Sequence, residues 1–447
     1  MKTQTLVVLA GLSCLMFITA SHAAPTATCR AHGQAALVAW TQGNDTVAVK
    51  DFAPDIAAQV TPDMLKGIWT QLQGSAGAFR KLEDLQPRTL AGHSLLAAKI
   101  DFTQLSFAAL IDCDAQDRIA TFRIVPASAL GAPTSQAPAP ASTIGIEHAV
   151  QIASPLGPLP GTLLVPKGNG PFPAVLLVAG SGPHDRDETI GPNKPLRDLA
   201  EGLAGAGIAS LRYDKRTFAY GAQMAGKSFT IDDEVTDDAV TALHLLAQQP
   251  GIDPRRLFVL GHSLGAMMAP RIGQRDPSLA GVILLAAPAR ELLDISAQQV
   301  REQGQRHGES PAEIAAAEQA IAAEQQLLAK ADPAHPPAGS FGNVPQSYWL
   351  SLGEYDQVAV ARNLPMPLLI AQGAADFQVS PKADFARWQQ ALAGHGHVAF
   401  HLYPGLSHLF MPAGASGTVR DYQAPGHVNA QVIHDLADWI KAQPDRT

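Results

Sequence analysis

The sequence predicts a doubly wound α/β domain, a mostly parallel sheet with helices on both faces and a helical lid inserted into it, preceded by a small α+β domain. Three observations carry that prediction. Past residue 144, short apolar runs alternate with amphipathic stretches; residues 30 to 125 read as helices followed by alternating strands; a stretch rich in Pro, Ala and Ser separates the two. At 447 residues the chain exceeds what a single hydrophobic core ordinarily serves. With 46% hydrophobic and 16% charged residues it has the composition of a folded protein.

Residues 1–23 have the form of an export signal. Lys2 supplies a short positive start, "LVVLAGLSCLMFITA" is the apolar run, and "SHA" precedes a cut after Ala23. A permanent anchor needs a longer apolar span, and a lipid attachment at Cys14 is disfavoured because the apolar stretch continues past it. No later segment is apolar and long enough to hold the chain in a bilayer, so no stable membrane anchor is expected after cleavage. Cleavage moves the net charge from −8 to −9. A chain this acidic, with no basic cluster interleaved with aromatics, is poorly suited to polyanions, and nucleic acid is not an expected partner.

Residues 24–125 form the expected accessory domain. "AALVAWTQGN" and "TPDMLKGIWTQLQGSAG" have helical patterns, with Thr61 and Pro62 suited to an N-cap and first turn. "HSLLAAKIDF", "LSFAALIDCD" and "RIATFRIVP" then alternate as strands. Helices first and an antiparallel sheet after them indicate α+β, serving either the substrate rim or structure alone. Export leaves Cys29 and Cys113, an even pair that in an oxidising compartment invites a disulfide; two buried free thiols are the other reading. Residues 126–143, "PASALGAPTSQAPAPAST", carry no charge and no period of 2 or 3.6, as a semi-extended linker would.

Residues 144–447 make the larger domain. "GTLLVP", "FPAVLLVAG", "GIASLRYD", "RLFVLGHS", "GVILLAAP", "MPLLIAQG" and "VAFHLYPG" are continuous apolar runs, the pattern of strands buried on both faces. "PLRDLAEGLAGAG", "DDEVTDDAVTALHLLAQQ" and "PKADFARWQQALAG" are the helices between them. Reactive groups in such a sheet belong at the carboxyl ends of its strands. Residues 291–363, with "SPAEIAAAEQAIAAEQQLLAKA", interrupt the rhythm with extra helices and are expected to form a lid.

One of these strands ends on "GHSLG", the sole G-x-S-x-G match, centred on Ser263. Chance alone yields such a match roughly 0.1–0.2 times in a chain this long at average glycine usage, so context must decide. The context is favourable, because a strand precedes it and the amphipathic "AMMAPRIGQR" follows. A serine exposed on so sharp a turn needs small neighbours on both sides. It also needs a base to take its proton, and His408 in "LYPGLSHLF" follows the last strand. His395 and His397 in "GHGH" are the other tempting pair, with no third ligand evident for a metal. Asp376 in "LLIAQGAADFQV" is the carboxylate that would orient the imidazole, with Asp294 a distant second. The order Ser263, Asp376, His408 is the one a nucleophile elbow of this kind uses. The oxyanion donors expected are the amide of Leu264 and that of Ser181 or Gly182 in "VAGSGPHDRDE". In the lid, Tyr348 and Trp349 are candidates to shape the substrate pocket.

"GHSLG", "GSGPHDRD", "RYDKR" at 212–216 and "APRI" at 269–272 resemble the α/β-hydrolase superfamily, and within it exported bacterial serine carboxylesterases of the EstD type. The resemblance covers residues 144 to 443, and relatives also carry a helix-then-sheet domain ahead of the hydrolase. It implies Ser263, Asp376 and His408 as the triad, with the 180–182 loop shaping the oxyanion hole. Asp185, Arg186 and Asp187, like Asp214, Lys215 and Arg216, resemble loop-anchoring motifs, with internal salt bridges their expected role. "RTFAYG" departs from the pattern where relatives often place glycine directly after the arginine, which bears on the shape of that loop.

The expected function is therefore exported hydrolysis of small-molecule carboxylic esters through an acyl-enzyme, with no metal or organic cofactor required. A serine peptidase or aminopeptidase is the main alternative, and the lid offers Glu354 and Asp356 for a substrate amine. Acyl transferase or thioesterase chemistry on the same triad, and a non-catalytic module that kept the fold, are the remaining readings.

Overall fold

A computed structural model describes residues 25–57, 60–90, 93–103, 106–127, 144–224, 226–342 and 344–446. The export signal, and the linker from residue 128 on, lie outside the described residues. The chain divides into two units between residues 139 and 140.

In the first unit the helical patterns fold as α1 (Ala27–Thr41), α2 (Asp45–Ala48), α3 (Pro54–Ala57) and α4 (Pro62–Ala76). Thr61 caps α4 by accepting from the Met64 amide at 3.3 Å, and Pro62, which lacks an N–H, occupies the first turn where none is needed. Strands β1 (Phe79–Leu82), β2 (Gln86–Leu90), β3 (His93–Phe102), β4 (Ser106–Cys113) and β5 (Ile119–Pro126) make an antiparallel sheet in which β1 and β2 both pair with β3. Alternation decides its faces: Leu96, Ala98 and Ile100 join the helices' core, while Leu95 and Ala97 point the other way. The fully buried Trp40 donates its indole N–H to the Leu65 carbonyl at 2.9 Å, tying α1 to α4.

A disulfide joins Cys29 on α1 to Cys113 at the end of β4, across a sequence separation of 84. On the chain-entropy argument, a crosslink this long restricts the unfolded chain enough to stabilise the unit by about 4–5 kcal/mol. The double variant Cys29→Ala, Cys113→Ala should therefore lower the unfolding free energy of this unit by that amount, seen as a lower denaturant midpoint that reductant no longer shifts. A midpoint equal to that of the oxidised wild type would contradict the expectation.

Among the described residues the large sheet of the second unit has eight strands. They are β6 (Gly145–Ile152), β7 (Leu159–Pro166), β8 (Phe172–Val178), β9 (Ala209–Tyr213), β10 (Ile252–His262), β11 (Gly281–Leu285), β14 (Leu368–Gly373) and β15 (Val398–Tyr403), with β12 (Ser340–Phe341) and β13 (Val344–Pro345) forming a separate short hairpin. The sheet order is β15-β14-β11-β10-β8-β9-β7-β6. From β15 to β9 every pairing is parallel; β7 and β6 close the edge antiparallel. Val259 on β10 joins the core on one face, and Phe258 and Leu260 join the core on the other. This is why the strands read as unbroken apolar runs.

Helices α5 (Pro195–Gly205) and α15 (Ala430–Ala442) cover one face, while α8 (Asp237–Ala247) and α9 (Leu264–Arg275) cover the other. Short helices α6 (Arg216–Ala219) and α7 (Gly221–Met224) follow β9. Between β11 and β14 lie α10 (Leu292–His307), α11 (Pro311–Leu328), α12 (Gln346–Gly353) and α13 (Gln357–Arg362); α14 (Ala386–Ala391) follows β14. Ser310 opens α11 with a capping box: its hydroxyl accepts from the Glu313 amide, and Glu313 accepts from the Ser310 amide. The base of this insertion is pinned by Asp384, fully buried, which accepts from the Ala289 and Arg290 amides and pairs with the Arg290 guanidinium at 2.7 Å. The architecture is the one predicted from the strand and helix rhythm. Among the described residues no helix is long and apolar enough to cross a membrane.

Candidate active site

Backbone sterics set the position of Ser263. It lies between the end of β10 and the start of α9 at φ 53°, ψ −116°, a region side-chain-bearing residues seldom adopt. A Cβ at Gly261 would collide with the carbonyl of Gly265, and one at Gly265 with that of Val178. Both flanking glycines are thus required by space and not by flexibility. The Ser263 amide donates to the Leu285 carbonyl on β11 at 2.9 Å, fixing the turn over the carboxyl end of the sheet. The side chain of Ser263 is half-buried, and the amide of Leu264 opens α9, whose N-terminal end favours a developing negative charge.

The loop after β8 comes against this turn. A Cβ on Gly180 would lie 3.2 Å from the Ser263 Cβ. Beyond it, Ser181 is exposed and Gly182 is buried at φ 101°, a backbone state that suits glycine. The Gly180 peptide is held from both sides: its amide donates to Glu188 Oε1 at 2.7 Å, and its carbonyl accepts from Lys215 Nζ at 2.9 Å.

Asp376 and His408 arrive on the loops after β14 and β15. The loops are laced together: the Ala374 amide donates to the Tyr403 carbonyl and the Ala375 amide to the Leu406 carbonyl, both at 2.9 Å. Asp376 is 7% exposed and accepts four hydrogen bonds. Oδ1 takes the amides of Gln378 and Val379 at 2.7 and 2.9 Å; Oδ2 takes Gln372 Nε2 and His408 Nδ1, both at 2.7 Å. A carboxylate only accepts, so Nδ1 of His408 carries a proton, and in the neutral ring Nε2 is then the nitrogen with the lone pair. The His408 ring centre stands 4.8 Å from that of His262, the residue directly before Ser263.

The charged motifs of the neighbouring loops are ion-paired. Arg186 makes a two-pronged pair with Asp214, and Asp187 bridges Arg212 and Lys194 at 2.8 and 3.0 Å. Burial works to raise the pKa of Asp187, but the two cations outweigh it and hold the carboxyl below its usual range. Asp185 accepts from both the amide and the hydroxyl of Thr189. Lys215 pairs with the buried Glu234 at 3.1 Å, and Arg216 clasps the buried Asp238.

The remaining candidates sit on other elements. Asp294 is exposed on α10 and accepts from Gln325 on α11 at 2.8 Å, joining two helices. His395 and His397 are exposed in the turn before β15. Tyr348 and Trp349 on α12 are 4% and 8% exposed within the core, the phenol bonded to Glu234 and the indole to the Phe341 carbonyl at 3.0 Å. Asp356 caps α13 by accepting from Val358 and Ala359, and Glu354 is exposed. A cleft of about 580 Å³ opens behind the acid, lined by Gln298, Glu302, Arg306, Asp376, Lys382 and Ser416 among others. Sequence reasoning passed over Glu188 and His262, although both stand inside the motifs it singled out.

Esterase EstD of Thermotoga maritima is 32% identical over 402 residues, spanning 90% of this chain and 92% of that protein. The chain belongs to the α/β-hydrolase superfamily, in the family of that esterase. Residues 194–331 of this hydrolase match the family model described as serine aminopeptidase, S33. Solved structures that the chain matches include the esterase domain of a Rhodothermus marinus protein, at 18% identity over 67% of this chain and 99% of that one with a TM-score of 0.41. Est1E of Butyrivibrio proteoclasticus is 17% identical over 66% of the hydrolase and 99% of its own chain, with a TM-score of 0.42.

Proposed function

We propose that this hydrolase is an exported serine carboxylesterase acting on small-molecule esters through Ser263, His408 and Asp376. The observation that carries the reading is the 2.7 Å bond from His408 Nδ1 to Asp376 Oδ2, made beside the strained serine turn. In this mechanism Nε2 of His408 takes the Ser263 hydroxyl proton as Oγ attacks the ester carbonyl. The amides of Leu264 and of Ser181 or Gly182 stabilise the oxyanion. Collapse of the tetrahedral intermediate breaks the bond to the alcohol, which leaves with the proton held on His408. Water then gives a proton to His408 as it attacks the acyl-enzyme, and the acid and free serine return. General base assistance of this kind contributes about 10²–10⁴ in rate.

Residues 291–363 act as a lid and residues 24–125 as an accessory domain in this reading. The Cys29–Cys113 disulfide supports export, since such bonds persist outside the reducing cytosol. The signal at residues 1–23 supports the same conclusion from sequence.

The serine aminopeptidase description of the matching family model favours a second reading, because the same triad cleaves amides. Of the two acids offered for a substrate amine, Asp356 accepts two backbone amides on Oδ1 and Glu354 is exposed. The mature protein should hydrolyse short-chain aryl esters much faster than matched aminoacyl anilides, and a fluorophosphonate should label Ser263. Faster turnover of the anilide would replace the esterase reading with the peptidase one; absence of labelling in folded protein would remove both.

A further inference from the structure

Glu188 and His262 have no role in the steps above, yet they form a buried titratable pair bonded to the loop after β8 and to the main chain of His408. Glu188 is 1% exposed and, like Ser263, sits at positive φ (53°); His262 is 3% exposed. Glu188 Oε1 accepts from the Gly180 amide at 2.7 Å and from His262 Nδ1 at 2.9 Å. His262 Nε2 in turn donates to the main-chain carbonyl of His408 at 2.9 Å. One chain of hydrogen bonds therefore links the oxyanion loop, the residue before the nucleophile and the backbone of the base. Resting on the triad reading, we propose that Glu188 and His262 are positioning residues that hold the base, the nucleophile and the oxyanion loop in one register.

The protonation that such a bridge needs follows from its partners. A carbonyl oxygen accepts only, so Nε2 carries a hydrogen; a carboxylate facing Nδ1 calls for a second one there. Burial works against charge on both groups, but their mutual attraction outweighs it, raising the pKa of His262 and lowering that of Glu188. The other charged or titratable groups facing the pair are Asp376 and His408 on the imidazole side and His184 on the carboxylate side. His262 is thus an imidazolium bridging two acceptors on different loops. Without it the His408 main chain loses its tie to the serine turn, and misplacement of a reacting group by about 1 Å costs on the order of 10²-fold in rate.

Two variants test this. His262→Ala removes the bridge; Glu188→Gln keeps the shape and an acceptor for the Gly180 amide but removes the charge that holds the second proton on His262. Both are assayed on a short-chain ester, with melting curves to select folded protein. In His262→Ala kcat should fall by about 10²-fold with KM nearly unchanged, and in Glu188→Gln kcat should fall less, again without a rise in KM. Nitrogen NMR of the imidazoles should show both ring nitrogens of His262 protonated at neutral pH in wild type and only one in Glu188→Gln. Should His262→Ala not fold, Glu188→Gln carries the test. Wild-type kcat in the folded variants, or a loss confined to KM, would overturn the proposal. Ser263→Ala in the same assay separates the two readings: it stays inactive if only the positioning role is wrong, and turns over if the triad is wrong.

Discussion

Replacing Ser263 by alanine is expected to lower kcat for ester hydrolysis by about 10⁶-fold, the scale of losing the nucleophile of such a triad. The fold should survive the change. The strained turn is carried by the space-restricted Gly261 and Gly265 and by the Ser263 amide bond to Leu285, none of which involves the serine oxygen. Alanine differs by that single atom and faces the same backbone strain. Hydrolysis about 10³–10⁴ above water should remain, because the oxyanion donors and substrate binding do not depend on the hydroxyl. Steady-state kinetics with a melting curve on the same sample check this. Turnover near wild type in folded Ser263→Ala would remove Ser263 from the reaction.

Asp376→Asn is expected to cost about 10⁴-fold in kcat. All four hydrogen bonds to Asp376 come from donors, two onto each oxygen. An asparagine offers one oxygen and one NH₂, so one pair of donors must face another donor. If the NH₂ replaces Oδ1, the amides of Gln378 and Val379 lose their acceptor and the loop opens. If it replaces Oδ2, His408 must present Nδ1 as the acceptor, which moves its proton to Nε2 and removes the base. The mismatch, in a residue 7% exposed, should also lower stability by about 1–3 kcal/mol. The kinetic and stability losses are read separately, from kcat on folded protein and from the denaturant midpoint. An asparagine variant with wild-type kcat would mean that His408 does not rely on Asp376 for its tautomer.

Much of this was legible along the chain because its causes are local. Apolar runs such as 257–260 are continuous since strand and cover both faces, and "GHSLG" is recognisable because a turn between β10 and α9 admits few residue types. The order of Ser263, Asp376 and His408 could be read from strand ends alone. The pairing of Cys29 with Cys113 could not: an even count permits a bond, but only proximity makes it. Tyr348 and Trp349 show the same limit. Their aromatic character is plain in sequence, but only packing shows the Tyr348 phenol bonded to Glu234 and the Trp349 indole to the Phe341 carbonyl. Glu188 and His262 are 74 positions apart, and nothing in either neighbourhood announces that they meet.

From its sequence alone the chain determined its strands and helices, the sharp serine turn and the small residues that turn demands. Those features depend on backbone sterics and on burial patterns a few residues long. Tertiary structure alone decided which nitrogen of His408 holds the proton, and which carboxylate it serves. It also decided that an imidazolium at 262 would span two loops. Hydrogen bonds of this kind are worth having only at about 3 Å and good alignment, and that distance between residues remote in the chain exists only once the sheet has assembled.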